Sequence, residues 1–332
     1  MAQRPIAVLG ECVADAFADT SADTFGETGR PRPGELALRV MPGGGPANTA
    51  VALARLGTTT RFLGRISTDP FGDLFRAHLT SSRVDLTGVV AAPEPSTMAL
   101  ATFDEQGQAR YSFHAEATAD WQWTDAELDA VHSSDASCLH TGSLALVREP
   151  GGERIEHLLA RARAGATISI DPNVRPLLVD PRVYRSRLAH WCTMTDILRV
   201  SSDDLDLLMP GEAPERACDI WHLAGVRLVV ITLGAHGALA SLDGVRVRVP
   251  APPAEVVDTI GAGDSFTAGL LHHLSLAGRL GGRLDGLTIG EVTRACAYAA
   301  RVAALTCSTA GPNPPWAHEL DGGPLSPAGG GR

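Results

Sequence analysis

Two short stretches of this chain combine residue types and spacings suited to chemistry. The first is Pro42-Gly43-Gly44-Gly45-Pro46-Ala47-Asn48, running into a helical pattern. Consecutive glycines let a ligand approach the main chain and leave N–H groups exposed. The Asn48 amide offers two donors and an acceptor, a set suited to hydroxyls. The second is Asp258-Thr259-Ile260-Gly261-Ala262-Gly263-Asp264-Ser265-Phe266, opening a helix expected over 263–277. The amides of Gly261, Ala262 and Gly263 would point outward at that helix start. Free donors and the positive end of the helix dipole together make an anion hole there. Asp264 falls in the first turn, where the dipole favours its carboxylate, so it could take a proton from a hydroxyl at neutral pH. An anion held by amides beside a carboxylate base is an arrangement for phosphoryl transfer. Each stretch also has a plain reading: a flexible turn with Asn48 as helix N-cap, and an ordinary acid near a helix start.

Composition narrows the chemistry further. Lys and Arg together number 28 in 332 residues, and every one is arginine. A lysine-free chain can have no Walker-type phosphate lysine, no protein-kinase strand lysine and no Schiff base. The formal net charge of −10 argues against sequence-independent binding to nucleic acid or to an anionic membrane. The N-terminus lacks the charged and long apolar regions of a secretory signal, and no apolar run is long enough to span a membrane, so a cytoplasmic protein is expected. Cys12, Cys138, Cys192, Cys218, Cys296 and Cys307 are scattered with no CxxC pair, which suggests reduced, half-buried side chains. No histidine spacing suggests zinc; His272 and His273 are adjacent and would diverge on a helix.

The elements that must position the two stretches alternate between strand and helix. Strands are expected over 6–10, 61–66, 138–143, 167–171, 197–201 and 226–232, and helices over 48–56, 70–79, 152–163, 181–191, 263–277 and 288–305. Asp243-Gly244 between 237–242 and 245–249 reads as a two-residue hairpin turn. This alternation predicts an α/β fold with a mostly parallel sheet covered on both faces, whose ligands bind beyond the carboxyl ends of the strands. Two excursions, about 11–40 and 97–115, interrupt it and together suggest a small antiparallel sheet standing off the main one as a lid. Such a flap would cover a site and exclude water. The Gly/Pro-rich residues 321–332 read as a disordered tail, leaving 1–320 as the folded domain.

The two stretches, in this order and near opposite ends of the chain, resemble the paired signatures of the ribokinase (pfkB) carbohydrate kinase family. The likeness extends over about residues 5–318. Gly10-Glu11 and Asp15 resemble the family's opening strand and sugar-binding aspartate. Asp171-Pro172-Asn173-Val174-Arg175 resembles a stretch of fructokinases and keto-deoxygluconate kinases. Thr232-Leu233-Gly234-Ala235-His236-Gly237 resembles the nucleotide loop, and Gly311-Pro312-Asn313-Pro314-Pro315 the end of fructokinase-like members.

The resemblance implies a ribokinase-like fold and an ATP- and Mg2+-dependent sugar kinase. Asp264 would be the base, and Gly261, Ala262 and Gly263 would hold the transferring group. Asp15, Gly43, Gly44 and Asn48 would hold sugar hydroxyls. Arg175 would meet a phosphate or an acidic sugar group, or else form a plain ion pair. Ser201, Thr232, Gly234 and Gly237 would line the ATP site. Where the family often has N-x-x-E, this chain has Ser201-Ser202-Asp203-Asp204, and the shorter Asp204 would reach magnesium through water. Asp258 and Thr259 resemble a monovalent-cation loop, implying potassium. Ile260 stands where threonine is commoner. Fructose is the substrate most implied, with keto-deoxygluconate the close rival and nucleosides more distant. A homodimer through the lid strands is also implied. A non-catalytic sugar- or partner-binding relative on the same fold is the rival of another class, and Asp264 with its three small neighbours is the feature that separates the two. A dinucleotide-dependent oxidoreductase fails at the first strand, which no G-x-G-x-x-G follows.

Overall fold

The computed structural model describes residues 4–18, 36–103, 109–131 and 135–320. The expected tail, 321–332, the middle of the first excursion and the tip of the second lie outside the described residues. Strand β1 (Ile6–Leu9) leads into β2 (Val13–Ala18) and β3 (Leu38–Gly43), then α1 (Gly45–Arg55), β4 (Thr60–Ser67), α2 (Pro70–Ser81) and β5 (Asp85–Ala92). β6 (Thr97–Phe103), β7 (Ala109–His114), α3 (Asp125–Ala130), β8 (Cys138–Gly142), α4 (Gly151–Ala162) and β9 (Thr167–Asp171) follow. Next come α5 (Pro181–Met194), β10 (Ile197–Ser201), α6 (Ser202–Leu208), α7 (Pro214–Leu223), β11 (Leu228–Thr232), β12 (Ala238–Leu242) and β13 (Val245–Val249). The long helices α8 (Ala262–Leu276) and α9 (Ile289–Cys307) and the short α10 (Ala317–Leu320) complete the described chain.

The main sheet has nine strands in the order β13-β12-β11-β10-β9-β8-β1-β4-β5. Every pairing from β11 to β5 is parallel, and β12 and β13 add an antiparallel hairpin at one edge. Its turn is Asp243-Gly244, with φ of 48° and 91°, the pair of positive values a tight hairpin needs.

The period-two alternation of a strand explains why both faces are covered. Ile6 and Val8 join a core with Leu53, Phe266, Leu270 and Ala299, from α1, α8 and α9. Ala7 and Leu9 point the other way, into a core with Trp121, Trp191 and Trp221. Cys12, Cys138, Cys192, Cys218 and Cys296 are free and buried, and Cys307 is half-buried. Among the described residues no helix is long and apolar enough to cross a membrane.

The two excursions meet in a second sheet, β3-β2-β6-β7. It is not purely antiparallel as expected: β2 pairs with β3 antiparallel but with β6 parallel. β2 follows β1 and β6 follows β5, and β1 and β5 run the same way in the main sheet. Both lid strands therefore leave from the same end in the same direction. Five elements lacked a sequence expectation: the short helices α3, α6 and α10, and also β5 and α7. β5 is a half-exposed edge strand interrupted by Gly88, and α7 is a short amphipathic helix.

Candidate active site

A cavity of about 590 Å³ lies where the carboxyl ends of the parallel strands meet the lid. The lid contributes Val13, Asp15, Thr97, Ala99 and Phe113, while β10 and α6 contribute Arg199, Ser201 and Asp204. The start of α1 supplies Gly44, Gly45 and Asn48, and the start of α8 supplies Gly261, Gly263 and Asp264. The two stretches singled out in the sequence therefore face one space.

Asp264 is the third residue of α8. Its helix begins at Gly261, which has φ of 77° and stands where a Cβ would come within 2.9 Å of Pro312. Only glycine meets both conditions without strain. The Asn48 amide donates to Oδ2 of Asp264 at 2.9 Å, which leaves Oδ1 with no donor among the described residues. Asn48 lies inside α1, whose N-cap is Gly44. Burial pushes the Asp264 carboxyl up to about 6, against the opposing pull of Asn48, Arg175 and Arg199. Desolvation thus outweighs the dipole effect expected from helix position, yet the group is still mainly ionised at neutral pH.

The three small residues before Asp264 differ. Among the described residues the amides of Gly261 and Gly263 meet no acceptor, whereas Ala262 donates to the Thr259 carbonyl at 3.2 Å. Beneath Gly263 lies Arg199, whose Nη1 would stand 2.8 Å from a Cβ there. Arg199 donates to Asp171 Oδ2 at 2.8 Å and to Thr232 Oγ1 at 2.6 Å. Both side chains of the Arg199–Asp171 pair are 7% exposed. Sequence reasoning missed Arg199. The available signal was a lone arginine in an otherwise apolar buried strand, a position that needs a paired charge.

On the lid side, Asp15 projects from β2, and burial pushes its carboxyl up to about 6. Gly43 packs directly on it, since a Cβ there would overlap Oδ2 of Asp15. Gly43 therefore backs the aspartate without lining the cavity itself. Arg175 donates to the carbonyls of Asn173 and Val174 at 3.4 and 3.3 Å, and among the described residues it pairs with no carboxylate.

On the opposite side, Ser201 caps α6. It accepts from the Asp204 amide at 3.0 Å and donates to Asp204 Oδ2 at 2.7 Å, while Oδ1 accepts from the Val174 amide at 2.9 Å. Asp204 is buried against the cavity, and burial raises its carboxyl. Thr232 reaches the cavity through Arg199, and Gly234 lies exposed past the end of β11. Gly237 packs against the Val249 backbone, which assigns it to the β12–β13 edge and not to a cavity wall. Asp258 accepts from the amides of Ile260 and Gly311 at 3.0 and 2.9 Å, tying its loop to the segment after α9, and Thr259 lines the cavity.

The profile of the pfkB family carbohydrate kinases matches residues 3–319. A fructokinase of Rhizobium leguminosarum bv. trifolii is 38% identical over 245 residues, covering 73% of this chain and 74% of its own. Among solved structures, a Xylella fastidiosa fructokinase with bound ATP is similar at TM-score 0.83 and 25% identity, with 96% of this chain and 97% of the other covered. A Vibrio cholerae fructokinase holding fructose, ADP and calcium is similar at TM-score 0.77 and 25% identity, with 93% and 94% covered.

Proposed function

This chain belongs to the pfkB family of carbohydrate kinases, and from that premise we propose that it is an ATP-dependent fructokinase. The observation that carries the reading is Asp264, held by Asn48 beside the open amides of Gly261 and Gly263 on the wall of one cavity. The primary hydroxyl of the sugar attacks the γ-phosphorus while an Asp264 oxygen takes its proton. The bond to the bridging oxygen breaks and ADP leaves. The two open amides and the Arg199 guanidinium stabilise the charge on the transferring group, a task that in this chain needs no lysine. Asp15 and Gly44, with Asn48, are the proposed sugar contacts. Ser201, Thr232 and Gly234 are the proposed nucleotide side.

Magnesium would arrive on the nucleotide. Among the described residues no group of three or more His, Cys, Asp or Glu could hold a metal ion, and the adjacent Asp203 and Asp204 both line the cavity. That donor set suits an ion that keeps its waters and binds mainly phosphates. The Asp258–Thr259 loop is our candidate for a potassium ion, because each carboxylate oxygen of Asp258 takes one amide and keeps a lone pair. A homodimer through the lid is also proposed, on the exposed Tyr111 stacked on Phe113 in β7. Light scattering that shows a monomer overturns it.

The unpaired Arg175 favours a second reading, an acidic acceptor such as keto-deoxygluconate. A coupled assay of ADP release tests both, run with fructose, ribose, keto-deoxygluconate and nucleosides. Fructose is expected to give the highest kcat/KM. A higher value with keto-deoxygluconate would transfer the assignment to that reading.

A further inference from the structure

Glu11 lies between β1 and β2, at the root of the lid, and lines the same cavity as Asp15 and Asp264. It is 2% exposed, and its Oε2 has no hydrogen-bond partner among the described residues. Ser143, just past the end of β8, is held at φ of 55°, also lines the cavity and favours the charged form of the Glu11 carboxyl. Burial pushes the Glu11 carboxyl up to about 7, with Asp120 adding to the rise and Ser143 and Arg175 opposing it. An unpaired buried oxygen of this kind lowers stability, and a ligand hydroxyl that satisfies it recovers the loss. Proton removal from the acceptor already has a group in Asp264, so Glu11 is surplus to that step.

We propose that Glu11 is a specificity-determining sugar ligand, whose Oε2 accepts a hydrogen bond from a hydroxyl other than the one phosphorylated, with Ser143 on the same cavity wall. The proposal rests on the fructokinase reading and names one contact within it. It calls for a neutral, polyhydroxylated acceptor that presents a donor near the lid root while its primary hydroxyl meets Asp264.

The test compares wild type with Glu11→Gln on fructose and on a series of monodeoxyfructoses. At pH 8, where the Glu11 carboxyl is mostly ionised, the amide keeps an acceptor but loses the charge, so the fructose KM should rise by roughly threefold to tenfold, with the ATP KM within roughly twofold. The second readout is selective. One deoxy sugar, lacking the contacted hydroxyl, should show the same KM in wild type and Glu11→Gln. Ser143→Ala should give a smaller loss with the same selectivity, which keeps the test intact if Glu11→Gln folds poorly. An unmoved fructose KM, or an equal loss on every deoxy sugar, overturns the proposal and leaves the fructokinase reading standing. A wild-type protein inert toward fructose overturns both.

Discussion

The Asn48 side chain donates to Oδ2 of Asp264 at 2.9 Å, joining the start of α1 to the start of α8 across 216 residues of sequence. Two stretches that each admit a plain local reading thus become one site. The bond orients the carboxyl so that one oxygen is held and the other is left for substrate.

Replacing Asp264 with Asn should lower turnover by about 10²- to 10⁴-fold, the range for loss of a general base. Folding should survive. Burial makes the ionised carboxyl less stable in the folded than in the unfolded chain, as its raised value shows, and the amide removes that charge. Turnover and melting temperature at pH 7 check the two parts, and wild-type-like turnover would remove the base assignment.

The acid limb of the pH–rate profile should fall near the value of about 6 to which burial raises Asp264. The sign for stability is the reverse of that for activity. A folded value above the ordinary carboxyl value of 3.8 means that the native state binds the proton more tightly. The associated stability is therefore full below about pH 4 and is lost as pH rises through about 6. Asp15 and Asp120, also pushed up to about 6, act in the same direction. Denaturant unfolding across pH 4 to 7 should show a smaller dependence in Asp264→Asn than in wild type.

Asn48→Ala removes the hydrogen bond that lowers the Asp264 carboxyl. The acid limb should therefore move upward by about one pH unit, the scale of a hydrogen bond to a charged group. A purely structural loss would reduce activity with no displacement of the limb. An unmoved limb would show that Asn48 does not tune the base.

Arg199→Met leaves Asp171 as an unpaired buried charge, and breaking such a pair costs about 3–5 kcal/mol. The double variant Arg199→Met/Asp171→Leu should recover much of that stability by removing the orphan. Turnover should stay low, because no cation remains beneath Gly263. Wild-type-like turnover in the stable double variant would make Arg199 a structural residue only.

The sequence by itself determined what depends on near neighbours. Gly261 and the first turn after it specify an N-terminus with open amides, because a positive φ and free donors are local properties. The alternation of apolar runs and helical patterns specifies a parallel sheet, because strands buried on both faces leave that mark in β1, β8, β9, β10 and β11. The absence of lysine limits how phosphate can be held, whatever the fold. β5 left a weak mark because it is a half-exposed edge interrupted by Gly88.

Tertiary structure alone decided the rest. It seats Arg199 on Asp171 behind Gly263 and Asn48 on Asp264. It makes the β2–β6 pairing parallel and gives Gly237 a packing role. It also sets the protonation of Asp264, Asp15 and Glu11. Desolvation acts at the distance of folded contacts, and it overrides a helix dipole that could be read from the order of residues.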